Sequence, residues 1–412
     1  YSAPSDTAAA FNSPFSFEKV DKVGTGIGHA VSLVVDRLGD RHVLHEGPGS
    51  ADLRHSRWNG SAWTTRVIDS EGGTNPTAAA GPGGRLDVAY HIPGGIFRVR
   101  RSIDGGATWP APLTRGPIAL GNKAAASPDP AGNLFVAAVL NSAGTVDLFR
   151  MAGTTSSVPV FSGAANQHPA HNDGLAIDAG RDIFVLITSA EGILRLAKST
   201  DTGSSWTLTQ VAAGAGSGAS LAVGGDGRIH VAYTDGGPGP LKRAVSGDGG
   251  ASFTAETVDP ALVEDNEIAL DGSGNPHIAY VTAGSGPEPS DLKYARYDGV
   301  RWSTQTVDSA GALIFPSLAL DAAGDVHIAY AAGGGLDELR AARWSGAGLA
   351  APMGGNNRGT VQAPAGFAAA SVGSSSVTWS WADNSANELG FRIYGSLVST
   401  GPYALIAGTS TI

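Results

Sequence analysis

The densest group of side chains able to move a proton or hold a ligand lies between residues 166 and 173, in the run NQHPAHND. His168 and His171 titrate near neutral pH, the property asked of a general base. Asn172 and Asp173 supply an amide and a carboxylate beside them. Far along the chain, Glu264 and Asp265 offer carboxylates that would orient such an imidazole if the fold brought the segments together. The competing expectation is a solvated loop whose Asn and Asp brace their own turns. A metal held by His171, His29 and Glu264 lacks any ligand-spacing motif, so no metal is assigned. Calcium between Glu264 and Asp265 is the remaining cofactor reading, and otherwise no cofactor is expected.

What must position these residues is a repeat of about forty-seven residues occurring seven times. The turn residues Asp36, Gly81, Asp129, Asp178, Gly224, Asp271 and Asp321 are spaced by 45, 48, 49, 46, 47 and 50 residues. Each copy has an apolar run, a tight turn, a second apolar run, a loop, and a third run ending at a Gly-rich turn. A period of 40–50 residues with about four short strands per unit is expected of a β-propeller. The fold expected is therefore all-β, a seven-bladed β-propeller over residues 15–345. Phe17 precedes Asp36 by 19 residues, as Trp302 precedes Asp321. The segment 17–23 should therefore be a fourth strand that completes the last blade and latches the ring.

In that fold the loops entering each innermost strand share a face with the loops between second and third strands. Counting along the repeats places His29, Asn122, His171 and Glu264 at one rim position. Asn75, Lys123, Asn172, Asp265 and Phe315 fall at the next. Ligands bind where such loops converge, so these residues are the candidate site. The catalytic candidates are His168, His171 and Glu264. His230, His277 and His327 share one second-strand position, and Tyr90, Tyr233, Tyr280 and Tyr330 another. Groups spread around a ring cannot converge on one small ligand, so packing roles are expected for them. Arg98, Arg100 and Arg101 read as a solvated strand surface.

The third-to-fourth strand turns read SIDGGATW (102–109), STDTGSSW (199–206) and SGDGGASF (246–253), with looser copies at 58–63 and 297–302. They resemble the Asp-box, S-x-D-x-G-x-x-W, of sialidase-like (BNR-repeat) propellers. In such a turn Asp104, Asp201 and Asp248 accept backbone N–H bonds, while Trp109, Trp206 and Phe253 plug the seam between sheets. Residues 362–412, with Val377-Thr378-Trp379-Ser380-Trp381 and Gly390-Phe391-Arg392-Ile393-Tyr394, resemble the first half of a fibronectin type III domain. That implies an incomplete immunoglobulin-like sandwich after a linker at 346–361, one able to self-assemble through its open edge. Either the chain continues or another segment fills the gap, the extension 1–14 being one candidate.

Composition narrows the partners. The net charge of -10 and pI near 5.4 argue against nucleic acid. No apolar run is long enough to span a membrane. Cysteine is absent, so neither disulfides nor thiol chemistry is available. Starting at Tyr1 without Met, the chain is expected to have lost a leader or to have been trimmed. The preferred reading is a secreted or cell-surface, non-catalytic module binding glycan or an extracellular protein. The alternative is a glycan-cleaving enzyme. The sialidase resemblance implies an Arg-Ile-Pro motif, which is not present, and six blades rather than seven. The segment 171–185 resembles a His-Asn stretch of seven-bladed polysaccharide lyases, with Thr188-Ser189-Ala190 where paired histidines would follow. A lyase using His and Tyr to abstract a proton is thus the better enzyme reading.

Overall fold

The computed structural model describes residues 15–22, 30–36, 38–48, 52–93, 96–115, 124–129, 133–139, 145–152, 154–161, 168–169, 174–188, 192–284, 290–309, 313–332, 338–345, 365–372, 377–382, 392–395 and 404–408. Among them the regular structure is strand, apart from a three-residue 3-10 turn at Pro82–Gly84. No helix is long and apolar enough to cross a membrane. Antiparallel sheets follow one another along the chain, running from an inner strand to an outer one in sequence order except in the last, whose outer strand comes from the N-terminal region. The first contains Val31–Val35, Arg41–Glu46, Leu53–Trp58 and Trp63–Asp69. The innermost strands then touch in a closed cycle: Val31–Val35, Thr74–Gly81, Ala124–Pro128, Leu175–Ile177, Ala215–Val223, the end of Thr254–Leu270, Leu313–Leu320, and back to Val31–Val35. This closed arrangement of radial sheets is a β-propeller.

Inner and outer strands differ because of what covers them. Val31–Val35 and Arg41–Glu46 are buried at every position, being packed on both faces. Outer strands such as Trp63–Asp69 are exposed along most of their length. The apolar clusters lie in the seams: Leu53, Val34 and Leu44 of one sheet meet Leu86, Val88 and Tyr90 of the next. Leu339 and Ala329 of the last sheet meet Leu33 and Val43 of the first. Burying a side chain such as Tyr90 completely stabilises the fold by about 2–3 kcal/mol.

The ring closes through the N-terminal strand, Ser16–Lys22, which pairs antiparallel with Glu338–Trp344, Ser16 opposite Arg343 and Lys22 opposite Glu338. Phe15 packs against Tyr294 and Trp344 with ring centroids 5.7 Å away in each case. The same strand reaches the first sheet: Glu18 accepts from Arg41 at 3.0 Å and from the Trp63 indole at 2.7 Å. It therefore belongs to the last sheet by its backbone and to the first by its side chains.

The strand before the Asp271 turn departs from the repeat of separate short strands: the inner strand is the end of a continuous strand, Thr254–Leu270. The stretch ETVDPALVEDNEIAL has no glycine to break it, and Leu241 pairs with Asp259 across an irregular register. In the C-terminal region, Ala365–Val372 pairs with Val377–Ala382, and Arg392–Gly395 with Ala404–Gly408. The extension 1–14 and the linker 346–361 lie outside the described residues.

Candidate functional site

Four of the inner strands enter the sheet through a local irregularity. The ladder skips between Thr74 and Thr77, between Ala215 and Ala219, between Val263 and Asp265, and between Ile314 and Ser317. These are bulges at equivalent places in four inner strands, and bulges bend a strand and re-aim its residues. Asn75, Glu264 and Phe315 sit within them. Asn75 and Phe315 have a φ of 50°, and each precedes a proline. A left-handed conformation is costly for a residue with a side chain. Both are half-buried, and Glu264 is exposed.

The rim is continuous between neighbouring sheets. The Asn75 N–H donates to Glu46 Oε1 of the preceding sheet at 3.1 Å. Gly218 approaches the next bulge so closely that a Cβ there would lie 3.0 Å from the Glu264 carbonyl. Asp265 Oδ1 accepts from the Asn266 N–H at 3.0 Å. Below the rim, small polar side chains tie the inner strands together. Ser32 Oγ accepts the Ala78 N–H and Ser317 Oγ the Leu33 N–H, both at 2.9 Å, while Ser317 donates to Glu267 at 3.3 Å. Ser220 donates to Asn266 Oδ1 at 2.9 Å.

Of the residues expected at the site, Asn75, Glu264, Asp265 and Phe315 thus lie on one rim. His168 falls in a two-residue strand, His168–Pro169, opposite Thr188 and Ile187. His29, Asn122, Lys123, His171 and Asn172 lie outside the described residues. No group of three or more His, Asp or Glu among the described residues is placed to hold a metal ion.

A second set of polar groups lies just outside the rim and was missed in the sequence. Tyr90 OH donates to Asp69 Oδ2 at 2.5 Å, and Arg98 donates to the same oxygen at 2.9 Å. Tyr280, Asp259 and Lys293 repeat this arrangement, with both donors at 2.6 Å. So do Tyr330, Asp308 and Arg340, at 2.6 and 3.0 Å. In the first sheet His45 takes the tyrosine position, its Nε2 3.7 Å from Asp21, which Arg54 holds at 3.0 Å. Asp69 and Asp308 end their strands, Asp21 stands one residue from the end of its own, and Asp259 lies within Thr254–Leu270; in each case the aromatic or imidazole lies on one later strand and the cation on the strand after it. Burial would raise the Asp69 carboxyl, but the hydrogen bonds from Tyr90, Glu71 N–H and Arg98 outweigh it and hold it below its ordinary value. Burial and the carboxylate together push the Tyr90, Tyr280 and Tyr330 hydroxyls up.

This corrects the reading of Arg98, Arg100 and Arg101 as solvated. Arg98 is 13% exposed and bound to Asp69 and Glu71. Arg100 donates to Tyr90 OH at 3.2 Å and Arg101 to Asp87 at 2.6 Å.

On the opposite face the turns at 102–109, 199–206 and 246–253 are braced by their aspartates. Asp201 Oδ1 accepts from Ser199 Oγ and the Ser205 N–H, each at 2.8 Å, and Oδ2 from Ser205 Oγ at 2.6 Å. These bonds, led by the Ser205 hydroxyl, hold the carboxyl at about 2. Asp104 and Asp248 are bonded alike. Trp109, Trp206 and Phe253 each pack against a different seam, the last two against successive ones.

The second-strand histidines are buried, and burial dictates their titration. His91 and His230 are each pushed down to about 4, chiefly by desolvation. His277 contacts Tyr294 OH and is also lowered by burial. A neutral folded imidazole against an unfolded value near 6.5 means that the unfolded chain binds more protons between about pH 4 and 6.5. Stability is therefore full above 6.5 and falls with pH through that window, by about 1.4 kcal/mol per unit for each such ring. His91 and His230 together should cost about 3 kcal/mol per unit. Thermal melts between pH 8 and 5 should show a plateau and then a steep fall below about pH 6. A melting temperature unchanged down to pH 5 would mean that these rings protonate within the fold.

No protein-family model and no curated protein matches the sequence. Among solved structures the chain is similar to a protein of unknown function from Dyadobacter fermentans, at 14% identity and a TM-score of 0.48 over 79% of this chain and 98% of that one. It is also similar to AofleA from Arthrobotrys oligospora, at 11% identity and a TM-score of 0.48 over 72% and 90%. A third is the Aleuria aurantia lectin, described as a six-bladed β-propeller with a fucose recognition mode, at 14% identity and a TM-score of 0.46 over 70% and 98%.

Proposed function

We propose that this chain is a secreted or cell-surface binding module, a seven-bladed propeller that engages glycan or protein at its bulged rim without catalysis. The blade count follows from reading the seven-stranded sheet Ala215–Asp308 as two blades that share the strand Thr254–Leu270. The observation that carries the function is the set of equivalent bulges, which takes Asn75, Glu264 and Phe315 out of their ladders on one face. Strain at side-chain-bearing positions persists where a surface is being shaped for contact. An amide, a carboxylate and an aromatic ring are the groups that bind sugar hydroxyls and sugar faces. Nearby acids and phenols are engaged instead in Asp–Tyr–cation clusters between blades. His29, Asn122, Lys123, His168, His171, Asn172 and Asp265 are proposed to complete the rim. The incomplete fibronectin-like segment would present the ring or assemble it with other copies.

Screening the chain on a glycan array and against extracellular proteins should give saturable binding. Asn75→Ala, Glu264→Gln and Phe315→Ala should each weaken that binding about tenfold, or about 1.4 kcal/mol, with the melting temperature little changed. Unaltered affinity in all three variants would move the site off the rim. Unsaturated product from a uronic acid polymer, lost in His168→Ala/His171→Ala, would replace the binding reading with the lyase one.

A further inference from the structure

On the face opposite the rim, three departures from the repeat meet in a single cleft. The turn between first and second strands carries a left-handed residue that is glycine elsewhere: Gly39 (φ 80°), Gly227 (76°), Gly274 (79°) and Gly324 (78°). In the sheet beginning at Leu175 this residue is Arg181, with φ 69°. The Asp-box residue after the aspartate is likewise Gly105 (66°) and Gly249 (72°), but in this sheet it is Thr202 (59°). Both substitutions carry the steric cost that glycine avoids.

The third departure frees a cation. At equivalent third-strand positions, Arg57 is held by Asp40 at 2.5 Å, Lys198 by Asp182 at 3.1 Å and Arg343 by Asp325 at 2.6 Å. The corresponding Arg150 faces a turn that ends in Asn133 instead of aspartate, as Arg296, over the Trp344 ring, faces one ending in Asn275. Among the described residues Arg150 has no carboxylate partner; its guanidinium lies 5.9 Å over the Phe135 ring. Nor has Arg181 an acid partner among them.

Arg150, Arg181 and Thr202 form the exposed edge of a cavity of about 230 Å³ between two sheets, floored by Phe135, Leu148, Ile177 and Ile183. Asp129 completes the wall, its two oxygens accepting from the Asn133 N–H at 2.6 Å and side-chain amide at 2.9 Å. The equivalent cleft one seam onward is satisfied internally, because Lys198 also donates to the Gly249 carbonyl at 3.2 Å.

We propose that this cleft binds a compact organic anion, a carboxylate carried on an aromatic or branched apolar body. The two guanidiniums take the carboxylate, for which their planar donors are suited. The floor takes the body, which a bare inorganic anion would leave unused. A volume below the roughly 300 Å³ of drug-sized sites keeps the occupant small. Two guanidiniums against the single Asp129 carboxylate leave the cleft positive within a chain of net charge -10.

Calorimetric titration with 3-phenylpropanoate tests this, beside its neutral amide and acetate. The carboxylate should saturate at sub-millimolar concentration, with the amide and acetate each at least tenfold weaker. Arg150→Gln should weaken binding at least tenfold. Arg181→Gly should do the same while holding or raising the melting temperature, because glycine is the repeat's own residue at that turn. Absence of saturation at millimolar 3-phenylpropanoate overturns the proposal. Equal binding of the amide, equal binding of acetate, or undiminished binding by Arg181→Gly would also overturn it.

Discussion

Removing residues 1–22 should cost the chain its cooperative fold and make it self-associate through the exposed edge. The strand Ser16–Lys22 occupies the open edge of the last sheet, so its loss exposes the backbone of Glu338–Trp344 to pairing with another copy. Phe15 and Val20, each buried in a seam, go with it. Their apolar burial contributes about 4 kcal/mol. Arg41, 3% exposed at its side chain, loses Glu18, and Arg54 loses Asp21. A buried cation stripped of its acid is destabilising by a further few kcal/mol. The sum approaches the whole stability of a typical domain, about 5–15 kcal/mol. Light scattering after size exclusion should find the truncated chain in oligomers, with a broad, early melt by circular dichroism. A peptide spanning residues 12–23, added in excess, should narrow the transition. A truncated monomer that melts within a few degrees of the full chain would show the edge to be dispensable.

How far such features can be read in advance depends on whether they are periodic. The turn residues recur every 45–50 positions, the Asp-box-like turns keep the same place within their repeats, and the latch was visible as the same offset of 19 residues at both ends of the ring. Each follows from a local steric need, a tight turn or a closed edge, that leaves one residue type at one position. The rim is different. Asn75, Glu264, Asp265 and Phe315 could be reached by counting, but not the bulges that displace them, since two residues opposite one leave no mark in composition. Pro76 and Pro316, just after the displaced residues, were the available hint.

The Asp–Tyr–cation clusters were hidden for another reason. Asp69 and Tyr90 are 21 residues apart and in different sheets; Asp259 and Tyr280 have the same separation and belong to successive repeats. An argument made one blade at a time could not pair them. A signal did exist: an apolar residue and an aspartate end the outer strand at Val20-Asp21, Ile68-Asp69, Val258-Asp259 and Val307-Asp308. The following third strand then opens with a large apolar residue and a cation, as in Leu53-Arg54 and Leu292-Lys293. Aligned copy against copy, the two marks would have shown the basic residues to be partnered across seams and not dispersed on a surface.

Among single substitutions, Asp69→Ala should be one of the most damaging outside the apolar core. Asp69 Oδ2 accepts from Tyr90 OH at 2.5 Å and Arg98 at 2.9 Å, with Arg100 3.5 Å away. The acid is only 4% exposed and Tyr90 fully buried, so water cannot replace what is lost. An orphaned phenol costs about 1–3 kcal/mol, and breaking a buried ion pair by removing one partner about 3–5. Arg98 keeps Glu71 at 2.7 Å, which sets the expected total near 3 kcal/mol, at the lower end of that range. For a ring of this size that lowers the melting temperature by about 4 °C. Asp69→Asn keeps an acceptor for Tyr90 and should lose about half as much. Arg228→Ala, which removes an exposed pair with Asp226 at 3.7 Å, should change stability by less than about 0.5 kcal/mol. Urea unfolding of the three variants separates the outcomes. If Asp69→Ala unfolds at the same urea concentration as Arg228→Ala, the seam acids do not hold neighbouring sheets together.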